Sequence, residues 1–400
     1  MSTCIQPATP SPKPEMLAPK YLVLALSLLL TETLAARPFL NEPDTGIEES
    51  PLGAEVANGT LPNVTSILGL PDFDWVARQR LNISSYTYYR AGAAGEWSYR
   101  NNLEAYSRVR FRPRVLIDVT NIEASLPTTI LGYNFSAPFY ISPCARAGLA
   151  HEDGELNFVK GANEGKILYM VSDFSSKDKD SIRDTIDKES NQVLFQQLYI
   201  SDDRNATRAQ VQRAEEDGFK AIILTVDSAA DGNRHRAKRF GVGSADSDYT
   251  YFTWEYWKEI QSYTELPVVP KGIMSWEDAV IAAEMGAKAI YISNHGGRQL
   301  DGVPSPLEVA LEIHEQAPWV FQQIEVFADG GVRYGADALK LLALGVKAVG
   351  LGRPFMYSNV FGVDGVKRAI DLFKNELAID AANLGVADLK QINTSFVSGL

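Results

Sequence analysis

The sequence predicts a (β/α)8 TIM barrel with an N-terminal helical extension, and three observations predict it. Short apolar runs suited to buried parallel strands recur eight times. Segments of helical character separate most of them, the alternation that builds a parallel sheet. Each run ends at once in residue types that do chemistry. Eight such units call for a closed barrel, with two doubly wound halves as the alternative. In a barrel the eight C-terminal strand ends converge on one face, whereas an open sheet spreads them along an edge.

Taken in order, residues 1–36 read as a leader. Pro7, Pro10, Pro12, Pro14 and Pro19 exclude regular structure from its start. Lys13 and Lys20 precede the apolar run Tyr21 to Leu30, and Ala35-Ala36 offer small residues for cleavage. That pattern is a secretory signal peptide, and the run is too short to span a bilayer. An unprocessed leader, which would leave the protein inside the cell, is the alternative. Asn-x-Ser/Thr sequons at Asn58, Asn63, Asn82, Asn134, Asn205 and Asn393 agree with secretion and with a glycoprotein. Residues 37–66, with Pro43, Pro51, Pro62 and several acids, read as a linker, and 67–400 as the barrel domain.

Asp72 precedes a helical stretch at 73–81, and 86–91 continues it or forms a second helix. A basic, β-branched segment at 108–119 leads to a strand-like 128–131. The barrel runs lie at 139–143, 167–171, 193–199, 221–226, 267–271, 289–293, 324–328 and 347–351. Helical segments are expected at 152–164, 178–189, 206–217, 275–285, 305–317 and 335–344. Gly165, Gly218, Gly286 and Gly345 suit their C-termini. The one long break, 228–266, holds a ring cluster from Tyr249 to Trp257. A helix at 253–262 using these rings for packing is expected, with a lid around 241–247.

Composition limits the partners. Lys and Arg number 38 against 50 Asp and Glu, a net charge of −12 that argues against nucleic acid. Two cysteines, Cys4 and Cys144, provide no disulfide framework, and four histidines do not cluster at metal-ligand spacing. No metal is expected.

Residues 293–302 read Ser-Asn-His-Gly-Gly-Arg-Gln-Leu-Asp-Gly. With Phe111 to Leu116, Gln197-Leu198-Tyr199, Leu224 to Asp227, Asp329 to Arg333 and Gly352-Arg353-Pro354, the chain resembles the FMN-dependent α-hydroxy acid oxidases and dehydrogenases. That family includes glycolate oxidase, lactate oxidase and the flavin domain of flavocytochrome b2. The resemblance runs from about residue 72 to 396 and looks more like the single-domain oxidases. It implies oxidation of an L-2-hydroxy acid to a 2-oxo acid, FMN as cofactor, O2 as acceptor and a homotetramer. A dehydrogenase with another acceptor and a non-catalytic secreted flavin-binding protein are the rivals. Isomerase chemistry on the same barrel is disfavoured by the Tyr88, Tyr199, His295 and Arg298 set.

By the same resemblance His295 is the base, and Asp227 is the carboxylate that stabilises its protonated form. Arg298 and Arg234 resemble the pair that holds the substrate carboxylate, for which a guanidinium fork is the matching shape. Arg236 and Arg239 read as exposed charges. Tyr88 and Tyr199 resemble the tyrosines whose hydroxyls contact substrate, with Tyr89 expected to pack. Lys271 resembles the cation beside flavin N1, where positive charge favours the reduced anion. Ser172, Gln197 and Thr225 resemble groups on the flavin ring, the backbone at Cys144-Ala145 lies near N5, and Ser142 and Ser293 join the cofactor set.

The phosphate site reads independently of any family. Asp329-Gly330-Gly331-Val332-Arg333 follows the seventh strand and Gly352-Arg353 the eighth, the common phosphate position in such barrels. Three departures bear on substrate. The family's Pro-Thr-Ala-Met is here Pro143-Cys144-Ala145-Arg146. Phe174 stands where glycolate oxidase-like members carry Trp, and Ala230-Asp231 replace an often larger pair. A pocket for a larger or more polar hydroxy acid is the expectation.

Overall fold

Eight parallel strands pair in succession and close on themselves: β1 (Phe139–Ile141), β2 (Leu168–Val171), β3 (Leu194–Leu198), β4 (Ile222–Thr225), β5 (Val268–Ile273), β6 (Ala289–Ile292), β7 (Glu325–Ala328) and β8 (Ala348–Leu351). β8 returns to β1 through Val349↔Phe139 and Leu351↔Ile141. The closed barrel, not two open halves, is therefore the architecture. The computed structural model describes residues 46, 47, 50, 52, 53, 56, 59–187, 189–243 and 250–399. The expected leader, Cys4, the Asn58 sequon and most of the 241–247 stretch lie outside them.

The strands are buried on both faces, which is why they read as unbroken apolar runs. Side chains alternate at the strand period. Tyr140, Leu168, Met170, Phe195, Ile223, Val269, Tyr291 and Phe327 fill the barrel. Phe139, Ile141, Tyr169, Val171, Ile222, Leu224, Ile290 and Val326 face the helices. Large rings inside the barrel need one small neighbour. Gly350 is that neighbour: a Cβ there would lie 2.4 Å from Ser142 Oγ and 2.7 Å from both Tyr140 Cε2 and the Tyr291 hydroxyl.

A hairpin, Thr128–Ile130 with Tyr133–Phe135, plugs the N-terminal end, its Ile130 and Phe135 joining the interior cluster. Leu131 and Gly132 form its turn, both at positive φ, as a two-residue hairpin requires. Ahead of it come α1 (Leu70–Arg80), α2 (Ile83–Arg90) and α3 (Trp97–Arg108). The connections are α4 (Glu155–Gly165), α5 (Lys179–Thr185), α6 (Arg204–Glu216), α7 (His235–Arg239), α8 (Trp254–Gln261), α9 (Trp276–Glu284), α10 (Pro306–Gln316), α11 (Val320–Gln323) and α12 (Gly335–Ala343). After β8 come α13 (Arg353–Ser358) and α14 (Gly362–Leu384). Ser305 and Glu308 start α10 with a reciprocal capping box and Pro306 at its first position. Among the described residues no helix is long and apolar enough to cross a membrane.

Several expectations need correction. The left-handed residue ending α4 is Lys166 (φ 51°), not Gly165. Gly165 is needed for packing, since a Cβ would meet Ile370 Cδ1 at 2.8 Å. The stretch read as a linker is partly docked: Ile47 and Val56 are buried in the core. The basic segment at 108–119, which carries no predicted element, is mostly irregular. Only Arg110–Phe111 pairs, with Val397–Ser398, and Leu116 is fully exposed. The expected packing role of the aromatic cluster is met, because Tyr256 and Trp257 on α8 are buried.

Candidate active site

The C-terminal strand ends surround a pocket of about 950 Å³, part of it open to solvent. Every barrel strand or the loop after it contributes to the wall: Ser142 and Ala145, Ser172, Gln197 and Tyr199, Thr225, Lys271, His295 and Arg298, Asp329 to Arg333, and Gly350 to Arg353. α2 adds Tyr88 and Tyr89, and the loop before α7 adds Arg234.

His295 follows β6 in the left-handed region at φ 58°, with Gly296 and Gly297 also left-handed. A non-glycine residue held there is strained and must be fixed by its surroundings. Ser293 Oγ accepts its N–H at 3.1 Å, and Asn294 Oδ1 accepts from Gly297 N at 3.0 Å. Asn294 is itself clamped by Asn102 of α3 through two reciprocal amide bonds of 2.8 and 2.7 Å. The result aims the ring. Nδ1 lies 3.1 Å from Asp227 Oδ1, and Nε2 faces the pocket 3.4 Å from the Tyr199 hydroxyl. Asp227 has room because residue 272 is glycine: a Cβ there would meet Asp227 Cβ at 2.5 Å.

The two expected carboxylate-binding arginines share one mouth. Arg298 is steadied by Nη1 donating to the carbonyls of Tyr88 (2.8 Å) and Ala91 (3.0 Å). Arg234 is buried, and its Nε donates to the Arg298 carbonyl at 3.0 Å. Tyr88 lines the pocket with the Arg298 guanidinium 5.3 Å from its ring centre. The Tyr89 hydroxyl is spent on the Arg146 carbonyl at 2.7 Å, which supports Tyr88 as the substrate-facing tyrosine.

Lys271 is buried at the floor, with Nζ 3.2 Å from Ser293 Oγ. Beside it Gln197 donates to Thr225 at 2.9 Å and accepts from Asp173 N at 3.0 Å. Asp329 is buried after β7. One of its oxygens accepts from the Tyr291 hydroxyl at 2.8 Å, and the other, Oδ1, has no hydrogen-bond partner among the described residues. Gly331, at φ 84°, lies so close to Asn102 that a Cβ would stand 1.9 Å from its carbonyl oxygen. Burial pushes the Cys144 thiol up to about 11, helped by the nearby Asp329 charge.

Some expected residues stand elsewhere. Asp227 and Ser293 lie behind the wall, acting on His295 and Lys271 rather than facing the pocket. Arg353 reaches the wall, but its guanidinium donates to the carbonyls of Tyr89, Gly296 and Ala91 and braces the site. Arg333 remains at the phosphate loop. Arg236 is not an exposed charge: it forms a two-pronged pair of 2.9 and 2.8 Å with buried Glu96. Ala230 and Asp231 are outside the wall, so substrate shape rests on Phe174, Cys144 and the residues around them. Asn102, Tyr291 and Glu96 are new. Each acts over long sequence separation, and none sits in a motif.

Fold and site together define a cofactor-dependent (β/α)8 barrel with a carboxylate-backed histidine over its open face. The model of the FMN-dependent dehydrogenases matches residues 77–250 and 242–399. An L-lactate dehydrogenase (cytochrome) of Wickerhamomyces anomalus is 37% identical over 83% of this chain and 61% of its own length. Glycolate oxidase 3 of Oryza sativa subsp. indica is 35% identical over 83% of this chain and 96% of its own. A doubly substituted flavocytochrome b2 with pyruvate bound superposes with a TM-score of 0.81 at 35% identity, covering 89% of this chain and 92% of that one. The chain spans about three fifths of the length of the cytochrome-linked relatives. The chain belongs to the FMN-dependent dehydrogenase family.

The residues present fit FMN, the family's cofactor. The unpartnered Asp329 Oδ1 awaits a donor such as a ribityl hydroxyl. Gly330, Gly331 and Gly352 leave backbone exposed where a phosphate would approach, with Arg333 for charge. Lys271, Thr225, Gln197, Ser172 and Ala145 would hold the ring.

Proposed function

We propose that this chain oxidises an L-2-hydroxy acid to the 2-oxo acid with FMN as cofactor and O2 as electron acceptor. The observation that carries it is the line Asp227–His295–pocket, with Nδ1 on the carboxylate and Nε2 on the open side beside Tyr199. The substrate carboxylate belongs between Arg298, Arg234 and Tyr88, where a charged fork and a phenol converge. So placed, its reacting carbon faces His295. Bound FMN supplies the two-electron acceptor. Nε2 takes the proton, from Cα or from the hydroxyl, and Asp227 stabilises the resulting imidazolium. The Asp227 pair also fixes the tautomer, leaving Nε2 as the acceptor.

Supporting O2 is the similarity to oxidases: glycolate oxidase 3 is 35% identical and an L-lactate oxidase 36% identical to this chain. Purified holoprotein incubated in air with glycolate, L-lactate, L-malate and L-mandelate should yield equal amounts of 2-oxo acid and H2O2 from at least one acid. Product without H2O2 transfers the assignment to a dehydrogenase. No 2-oxo acid from any of them, with or without an artificial acceptor, overturns it. The proposal also places the protein in the secretory pathway. In its support Asn63, Asn82, Asn134, Asn205 and Asn393 are all exposed. A mobility shift on glycosidase treatment of protein from a secreting host tests that point, and no shift contradicts it.

A further inference from the structure

We infer that Arg146, half-buried just outside the pocket wall beside the wall residue Tyr88, is a second anion anchor and that the preferred substrate is a 2-hydroxydicarboxylate. The inference rests on the hydroxy-acid reading above and names its substrate class.

Arg146 leaves the chain between two wall residues. Its backbone N–H donates to the Phe174 carbonyl at 3.2 Å, and its own carbonyl accepts the Tyr89 hydroxyl at 2.7 Å. Its backbone is left-handed, at φ 62°. An arginine held in a disfavoured conformation by two pocket residues has a fixed point of departure. From there the guanidinium reaches over Tyr88, 5.1 Å from the ring centre. The Arg298 guanidinium lies 5.3 Å from the centre of that same ring. The two cations are thus no further apart than the sum of those distances.

The two arginines differ in how they are held. Arg298 is tied to backbone carbonyls. The Arg146 guanidinium makes no hydrogen bond or ion pair among the described residues and lies over the Tyr88 ring. Cation–π contact at a partly exposed site is weak beside a charge-assisted hydrogen bond to a carboxylate. A second carboxylate on the substrate would therefore draw Arg146 off the ring. A purely structural arginine here would instead be expected to pair with a carbonyl or carboxylate, as Arg353 and Arg236 do. Two positive charges this close to one phenol ring also repel each other, and a second substrate carboxylate on Arg146 relieves that repulsion. The wall next to Arg146 does not compete for this role: the Phe174 and Tyr199 rings meet at a tilt, 5.0 Å apart, and offer no second charge.

The test compares L-malate with L-lactate, using the rate of flavin bleaching in anaerobic holoenzyme. In the native protein kcat/KM for L-malate should exceed that for L-lactate. In Arg146→Met the malate-to-lactate ratio should fall by about tenfold or more, the worth of one charge-assisted hydrogen bond. Arg146→Lys should restore part of it, which a packing role would not produce. A native preference for L-lactate, or a ratio unchanged in Arg146→Met, overturns the anchor while leaving the hydroxy-acid reading intact. Bleaching by neither of these acids, nor by glycolate or L-mandelate, overturns that reading and the anchor with it.

Discussion

Removing the charge of Asp227 is the sharpest single perturbation of the site. Its Oδ1 lies 3.1 Å from His295 Nδ1, and both side chains are largely shielded. At an effective dielectric of about 20, unit charges this close interact by about 5 kcal/mol. In Asp227→Asn the amide oxygen still accepts a hydrogen bond and some solvent reaches the pair. About half of that energy, roughly 2–3 kcal/mol, is therefore the expected loss in stabilising the imidazolium formed as the proton moves. That corresponds to a rate about 30- to 150-fold slower. The assay is stopped-flow bleaching of the flavin by a saturating hydroxy acid without oxygen. Saturation separates chemistry from binding, and substrate affinity should change little because Asp227 stands behind the wall. A bleaching rate within about threefold of the native value, less than 1 kcal/mol of barrier, would refute the role given to the pair.

Three further outcomes are expected. Gly331→Ala drives a Cβ into the Asn102 carbonyl at 1.9 Å and places alanine at φ 84°. It should cost about 2–4 kcal/mol and lower the FMN-to-protein ratio, and full occupancy with an unchanged melting temperature would contradict it. Cys144, its thiol pushed up to about 11 by burial, should resist iodoacetamide in the folded protein and react on unfolding, as read by mass spectrometry. Glu376 is raised from 4.5 to about 7 by burial and by the neighbouring Asp380 charge. Its neutral form favours the fold, so this contribution is complete below pH 4.5 and is lost as the pH rises through about 7. Glu376→Gln should therefore stabilise the protein at alkaline pH by on the order of 1 kcal/mol, after allowing for solvent screening, and have no such effect at acid pH. Urea midpoints at the two pH values check the sign.

The eight strands are legible because parallel strands buried on both faces leave contiguous β-branched and aromatic runs. Two of the helices missing from the predicted elements are missing for different reasons. The inner face of α3 carries Ser98, Asn101 and Asn102 beside Tyr99, Ala105 and Tyr106, so polar groups interrupt its apolar stripe. Ser98 donates from its backbone N–H to Asp301 and from its hydroxyl to the Val303 carbonyl, and the Asn101 and Asn102 side chains bond Glu308 and Asn294, all partners far along the chain. By contrast α14 buries Val366, Ala369, Ile370, Phe373, Leu377, Ala381 and Leu384 at helical spacing, a stripe present in the sequence. In the site, residues inside motifs are legible in kind: His295, Arg298, Lys271 and Asp329 all face or floor the pocket. Which of them touches the cavity and which stands behind it depends on tertiary neighbours. Ser293, Arg353 and Arg236 show this, each engaged by a group more than 20 residues away. A stripe can be read from one chain segment, but a pairing such as Arg236 with Glu96 needs the fold.

The central claim is that His295 removes the proton in a hydroxy-acid oxidation. Single-turnover mixing of FMN-loaded His295→Gln with the best hydroxy acid, under anaerobic conditions, tests it most directly. The variant should still bind FMN, because His295 is not among the residues that would hold it. Bleaching should slow by at least about 10³-fold, more than the Asp227 variant loses, since the base itself is gone. Bleaching at a rate near that of the native protein would contradict the claim.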